Sequence, residues 1–437
     1  MRNLLSLSWP MIITNSLMML GPTIDMVWVG RLGAASVAGV GIAGMAVQCV
    51  NAARMGLNNG TKAMIARFVG AGDIEGANNV TQQAFVISAA FSILLAIIGV
   101  FLSEPILVWM GVEPDVVTEG AVYMRIMFVG SIAMSFRMMT EGVMQASGDT
   151  VAPMKITIFY RLFHIAICPF LVFGWWIFPQ LGVTGAALAN VVSQTLGVAA
   201  GLWILISGRT RLLLSFRNFR INGNIMWRIV KIGIPATIMS VEMSLSQIIL
   251  MWFIVPFGTL AVAAHSINQR IEMVILMPAM AFGMTAGVLA GQNLGAGQPE
   301  RAEKTAWRTV ALVEGFIIIC IAVILIWAEG IVGIFSPDPE LVALGAIFLK
   351  ISLAGFLVVG FFATFMQCLA GVGDTLPPMI IGLSTGWMVR IPLAYYLPKI
   401  TDLGVYGVRW AMVAAMVVGA ISYTTYFRLG RWKRKQV

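Results

Sequence analysis

Gly148-Asp149-Thr150-Val151-Ala152-Pro153-Met154 recurs as Gly373-Asp374-Thr375-Leu376-Pro377-Pro378-Met379, 225 positions further along the chain. Working outward, the same offset holds without a gap: Pro10 maps to Pro235, Gly33 to Gly258, Ile42 to Ile267, Gly70-Ala71-Gly72 to Gly295-Ala296-Gly297, Glu75 to Glu300, and Pro114 to Pro339. Beyond it, Gly182-Val183-Thr184-Gly185 meets Gly404-Val405-Tyr406-Gly407 with a slip of three residues. A fixed period held from Pro10 to Met154 marks a tandem duplication, so whatever fold one half adopts, the other repeats.

What is duplicated is a membrane unit. Of 437 residues, 59% are hydrophobic and 11% charged, too little polar surface for a soluble globule. Apolar runs long enough to cross a hydrocarbon core of roughly 30 Å recur twelve times. Their cores are 8–29, 37–58, 81–102, 120–142, 156–174, 184–207, 231–255, 260–283, 309–328, 342–366, 378–397 and 405–427. Six spans per repeat is an even number, so both repeats enter from the same side and run parallel. The first run carries no small-residue cleavage site, and its copy around Pro235 lies in mid-chain, so it reads as a span and not as a signal peptide.

The net charge of +9 suggests a nucleic-acid partner until its placement is examined. Eighteen Lys and Arg fall in the N-terminus, the even-numbered connections and the tail, among them Arg217 and Lys231, against Arg31 and Lys399 on the opposite side. That is a topology signature, with both termini cytoplasmic, and it implies no nucleic acid. The expected division is residues 1–206 as an N-terminal six-helix lobe, 207–230 as a cytoplasmic linker, 231–427 as a C-terminal six-helix lobe and 428–437 as a basic tail. The short loops point to a prokaryotic inner membrane.

Several motifs lose their usual meaning in this setting. Gly39-Val40-Gly41-Ile42-Ala43-Gly44 spells G-x-G-x-x-G, but inside an apolar helix with no preceding strand. Gly283, Gly287 and Gly291, like Gly56 and Gly60, instead fit close helix packing. Cys49, Cys168, Cys320 and Cys368 lie in apolar runs without metal or disulfide spacing, and no metal or cofactor is expected. With two histidines, no paired acids and no nucleophile beside a base, the chain does not read as an enzyme.

Ionisable groups at membrane depth are costly and mark ion or substrate pathways. The acids inside the spans are Asp25, Glu141, Glu242, Glu272 and Glu314. Glu141 and Arg54 fall near cytoplasmic helix ends, where snorkelling would account for them. Glu314 and Lys350 read as a structural pair. Glu272 shares a helix face with His265 seven residues earlier, with Arg270 close by, and suits either an internal ion pair or a transport role. Asp25 and Glu242 have no basic residue within one helical turn, which makes them the candidate coupling sites. Neither is duplicated: Asp25 maps to Leu250 and Glu242 to Leu17.

Taken together, these features resemble the multidrug and toxic compound extrusion (MATE) transporters, nearer the DinF-like branch than the eukaryotic one. The resemblance rests on Ile24-Asp25-Met26-Val27-Trp28-Val29-Gly30-Arg31-Leu32-Gly33, on Gly291-Gln292-Asn293-Leu294-Gly295-Ala296-Gly297, and on Gly182-Val183-Thr184-Gly185-Ala186-Ala187-Leu188-Ala189-Asn190. It implies an all-α integral membrane fold of twelve helices, two parallel six-helix lobes around a central cavity. The activity it implies is alternating-access export of small amphiphilic organic cations, by a monomer, in exchange for H⁺ or Na⁺.

By the same resemblance, Asp25 stands at the family's helix 1 aspartate, Glu242 within one residue of a helix 7 glutamate, and Asn190 where a polar partner of the aspartate is found. The helix 5 pattern Asn-Ile-x-Leu-Asp-Pro reads here His164-Ile165-Ala166-Ile167-Cys168-Pro169, and helix 10 lacks the acid that accompanies the helix 7 glutamate. Both departures remove hard oxygen ligands, which favours H⁺ over Na⁺, and His164 suits either a group that titrates with Asp25 or a hydrogen-bonded structural histidine. The alternative is a flippase for lipid-linked saccharides, which Arg125, Arg161, Arg270 and Arg390 would serve.

Overall fold

The computed structural model describes residues 2–109, 111, 113–214 and 219–435, and every regular element among them is helical. Arg217 of the basic connection lies outside these residues. Helices 1 to 3 are Arg2–Val29, Ala34–Gly70 and Ile74–Trp109. Helix 4 is formed by two segments, Pro114–Val129 and Ser131–Ser147, and helices 5 and 6 are Val151–Phe173 and Val183–Ile206. In the second half, helices 7 to 9 are Gly223–Ile254, Thr259–Gly295 and Pro299–Gly333. Helix 10 consists of Pro339–Phe356 and Val359–Gly371, and helix 12 is Val405–Arg428. Helix 2, with 37 residues, is about 55 Å long at 1.5 Å per residue and overshoots the roughly 30 Å hydrocarbon core.

Ten helical segments among the described residues, Pro339–Phe356 of helix 10 included, are long and apolar enough to cross a membrane, and the two segments of helix 4, bent by 48°, make an eleventh span. The remaining expected span, 378–397, is helical but broken. Leu376–Ser384 leads into a π-helical turn, Thr385–Arg390, and then into Ile391–Ile400. Pro392 explains the interruption: its ring has no N–H to donate and collides with a carbonyl one turn back, and a widened turn relieves both. These three pieces are helix 11, so each half holds six spans.

The duplicated signatures have a backbone explanation. Gly72 and Gly297 adopt φ of 78° and 71°, and Gly148 and Gly373 adopt 95° and 84°, a region that side chains disfavour. Pro114 and Pro339 each occupy the first turn of a segment, where the missing N–H costs nothing. Helix 10 breaks at Leu357 and Val358, as helix 4 does at Gly130. At that break the Glu314 carboxylate accepts the Gly360 N–H at 2.8 Å, meeting an N–H that a helix start leaves without a partner. Glu314 therefore pairs with backbone rather than with Lys350, which is exposed.

Two compact units emerge, one of Trp9–Thr237 and the other of Met1–Ser8 with Ile238–Val437. In the first, Val40, Ala43, Val47, Leu107, Met124, Val172 and Ala186 form the core. Gly39 sits so close to helix 4 that an added Cβ would fall 2.8 Å from the Gly120 nitrogen, whereas Gly41 and Gly44 of the same motif have open space beside them. In the second unit, an added Cβ on Gly287 would meet the Gln367 carbonyl of helix 10 at 2.5 Å, which accounts for the spaced glycines of helix 8. The basic tail is docked: Trp432 is buried and stacks on Phe427 with ring centroids 4.7 Å apart.

Candidate functional site

Asp25 is 1% exposed, near the C-terminal end of helix 1. Helix 5 turns Arg161, His164 and Cys168 toward it, spaced three and four residues apart and so on one face. Helix 6 contributes Asn190. It approaches helix 5 closely at Gly185, where any Cβ would strike the Leu171 carbonyl. The Asn190 amide donates to Asp25 Oδ2 at 3.0 Å. Around the other oxygen, His164 Nε2 lies 3.0 Å and Cys168 Sγ 3.9 Å from Asp25 Oδ1.

The tautomer of a neutral imidazole here follows from its neighbour. Arg161 NH1 lies 3.3 Å from His164 Nδ1, and a guanidinium can only donate. Nδ1 is therefore the acceptor, and the proton of the neutral ring sits on Nε2, facing Asp25. Gly21, one helical turn before Asp25, leaves the space that the Arg161 guanidinium fills; its carbon would lie 2.7 Å from an added Cβ.

Asp25, His164 and Cys168 could converge on one metal ion, since their nearest ligand atoms lie within 4.8 Å of one another. Arg161 argues against it. A metal on Nε2 would leave the ring proton on Nδ1, pointing a donor at a donor.

Glu242, on helix 7, is 4% exposed and lies 3.0 Å from Arg390 NH2. The arginine ends the π-helical turn of helix 11, 148 positions away, so a search within one helical turn of Glu242 finds no cation. Burying the Glu242 carboxylate without this partner would be costly. Gly386, in the same turn, makes room, because an added Cβ would collide with the Glu242 carboxylate.

Glu272 forms an ion pair with Arg409 of helix 12 and accepts the Ser352 hydroxyl at 2.7 Å. His265 Nδ1 lies 3.2 Å from Arg409 NH1. His265 and Glu272 are thus brought together, as their shared face implies, but through Arg409 and not Arg270.

Glu141 and Arg54 do not snorkel. Glu141 is 2% exposed and receives Arg137 NH1 at 2.8 and 2.7 Å, while Arg54 donates to Ser135 at 3.1 Å and Asn51 at 2.6 Å. The arginines 137 and 409 are what a search confined to acids passes over. A cation inside an apolar span is the same kind of signal, and Arg137 stands four residues before Glu141.

The description MatE belongs to a family model that matches residues 10–170 and 235–396, two copies whose starts are 225 positions apart. The chain belongs to the MATE family. It is 26% identical to the "Probable multidrug resistance protein YoeA" of Bacillus subtilis, over 98% of this chain and 93% of that one. A "Probable multidrug resistance protein NorM" of Thermotoga maritima is 24% identical, over 100% of this chain and 94% of its own. Among solved structures, an outward-facing multidrug resistance MATE transporter superposes with a TM-score of 0.92 at 22% identity, over 99% and 96% of the two chains, a likeness of fold. This MATE chain is a multi-pass membrane transporter of the multidrug efflux family and not an enzyme, with twelve helices in two lobes.

Proposed function

We propose that this MATE protein exports small amphiphilic organic cations in exchange for protons, with Asp25 as the proton site. The observation that carries the reading is the setting of Asp25: a buried carboxylate whose contacts are an imidazole, an amide and a thiol. Na⁺ takes several hard oxygen ligands, and the Cys168 sulfur is a poor substitute for one. A proton needs a single carboxylate. Arg161 faces His164 Nδ1, where an N–H would oppose the guanidinium, which supports Asp25 as the proton site.

Protonation from the outer side neutralises the buried charge, lowers the cost of closing the site around it and weakens the hold on a cationic substrate. The substrate is then released outward, and the proton leaves inward when the lobes exchange access. Apolar and methionine-rich walls, from a chain with 29 methionines, bind varied hydrophobic bodies, while one negative charge selects cations. The engagement of Arg161 with His164 and of Arg390 with Glu242 leaves these arginines less able to serve a lipid pyrophosphate, which supports export over the flippase reading. The topology we assign has both termini in the cytoplasm of a prokaryotic inner membrane, with the monomer as the working unit.

The test is efflux of a fluorescent organic cation from proteoliposomes under an imposed pH gradient or an imposed Na⁺ gradient. Transport driven by the pH gradient alone is expected. Transport driven only by Na⁺ would sink the reading and move attention to Glu242.

A further inference from the structure

The polar partners of Asp25 do not end at Asn190. Gln194, one turn along helix 6, donates its amide to Asn190 Oδ1 at 2.5 Å. Arg137, from the second segment of helix 4, donates its Nε to Gln194 Oε1 at 3.0 Å. Arg137 is in turn held by Glu141, which also accepts the Thr157 hydroxyl at 3.1 Å. Asp25, Glu141, Asn190 and Thr157 are all buried, and the Arg137 side chain is 11% exposed.

The chain has a direction. An amide can be turned either way, but a guanidinium has no acceptor, so Arg137 fixes the Gln194 oxygen toward itself and the Gln194 N–H groups toward Asn190. The Asn190 oxygen is then occupied, and its N–H group is left for Asp25 Oδ2. Every bond from Arg137 to Asp25 therefore points its positive end at the carboxylate. Bonds oriented in series polarise one another, and in a low-dielectric interior their effect reaches further than in water.

We infer that Arg137, acting through Gln194 and Asn190, is a positioning residue that sets the proton affinity of Asp25, with the Glu141 charge trimming its strength. The inference rests on the reading of Asp25 as the proton site. It assigns a role to Arg137, Gln194 and Glu141, whose connection to Asp25 runs through Asn190. The groups that face Asp25 directly are His164 and Cys168 from helix 5 and Asn190 from helix 6, with Arg161 and Tyr123 of helix 4 within electrostatic reach. Arg137 adds to these from the far end of the hydrogen-bonded chain.

Two substitutions at opposite ends give opposite signs. Gln194→Leu breaks the chain, so Asp25 loses support as an anion and the pH midpoint of cation efflux moves up. Glu141→Gln leaves the Arg137 charge uncompensated, so the midpoint moves down. Each shift should be about half to one pH unit, the size expected for the loss of one buried hydrogen bond or one neighbouring charge.

Full-length variants in proteoliposomes would be compared over a range of pH, with fluorescent-cation efflux as the readout. The doubly substituted Arg137→Met/Glu141→Met protein, which removes both charges of the pair together, serves if Glu141→Gln folds poorly, and it should shift upward like Gln194→Leu. Opposite shifts for the two single variants establish the relay. Uniformly reduced transport with an unmoved midpoint, or shifts of the same sign, overturns it. Asp25→Asn, run alongside, separates the two ideas: if it keeps the wild-type pH dependence, the proton-site reading itself has failed and the relay falls with it.

Discussion

In the N-terminal half one carboxylate, Asp25, faces an imidazole, an amide and a thiol, whereas in the C-terminal half Glu242 and Glu272 each face a guanidinium. Both halves use the same three residue types, connected in different order. Arg161 touches His164, which meets Asp25; His265 touches Arg409, which meets Glu272. An arginine stays charged at any working pH, so its pairs hold charge in place. A carboxylate beside a histidine can gain and lose a proton. Duplication copied the prolines, glycines and helix breaks, and the two copies then took different electrostatic work.

The largest expected effect separates the halves by activity. Asp25→Asn keeps the shape and the Asn190 contact but removes the titratable group, so pH-driven efflux should fall to background while the protein remains folded. Melting curves and proteoliposome transport together check both parts, and sustained coupled efflux would erase the distinction between the halves.

The next effect separates them by stability. Arg409→Met strands Glu272 and should cost about 3–5 kcal/mol in a thermal or denaturant unfolding assay, most of which the added Glu272→Met should restore. An unchanged melting point would mean that this pair is not structural.

A smaller effect comes from the glycines that make room for the two arginines. Gly386→Ala forces the Glu242 and Arg390 pair apart and should cost about 1–3 kcal/mol. Gly21→Ala displaces Arg161 and should alter the pH profile of transport more than the melting point. The smallest is Glu314→Gln, which keeps an acceptor for the Gly360 N–H and loses only the charge at a helix start, about 0.3–1 kcal/mol. A loss well above that would give Glu314 a role beyond the cap.

The fold was legible because its signals are local or periodic. The apolar runs, the 225-residue offset and the alternating loop charge are all properties of a single strand of sequence. Helix 11 was the exception in detail, since a span core drawn through 378–397 does not reveal that Pro392 opens a π-helical turn. The site was legible only in part. Asp25 stands out as an acid in an apolar span, whereas His164 and Asn190 came from the resemblance to MATE transporters, and the structure places both beside Asp25. The partners of Glu242 and Glu272 lie 148 and 137 positions away, on helices whose facing surfaces no local pattern specifies. Arg137 and Arg409 were hidden for another reason: both lie inside apolar spans, and a search confined to buried acids passes over buried cations.

The measurement that bears most directly on the difference between the halves is proton release on substrate binding. Purified protein in weakly buffered detergent solution would be mixed with an organic cation while a pH-sensitive dye is followed, for wild type, Asp25→Asn and Glu242→Gln. The account predicts proton release from wild type and from Glu242→Gln, and none from Asp25→Asn. Release that survives in Asp25→Asn and vanishes in Glu242→Gln would place the exchanging carboxylate in the other half of the molecule.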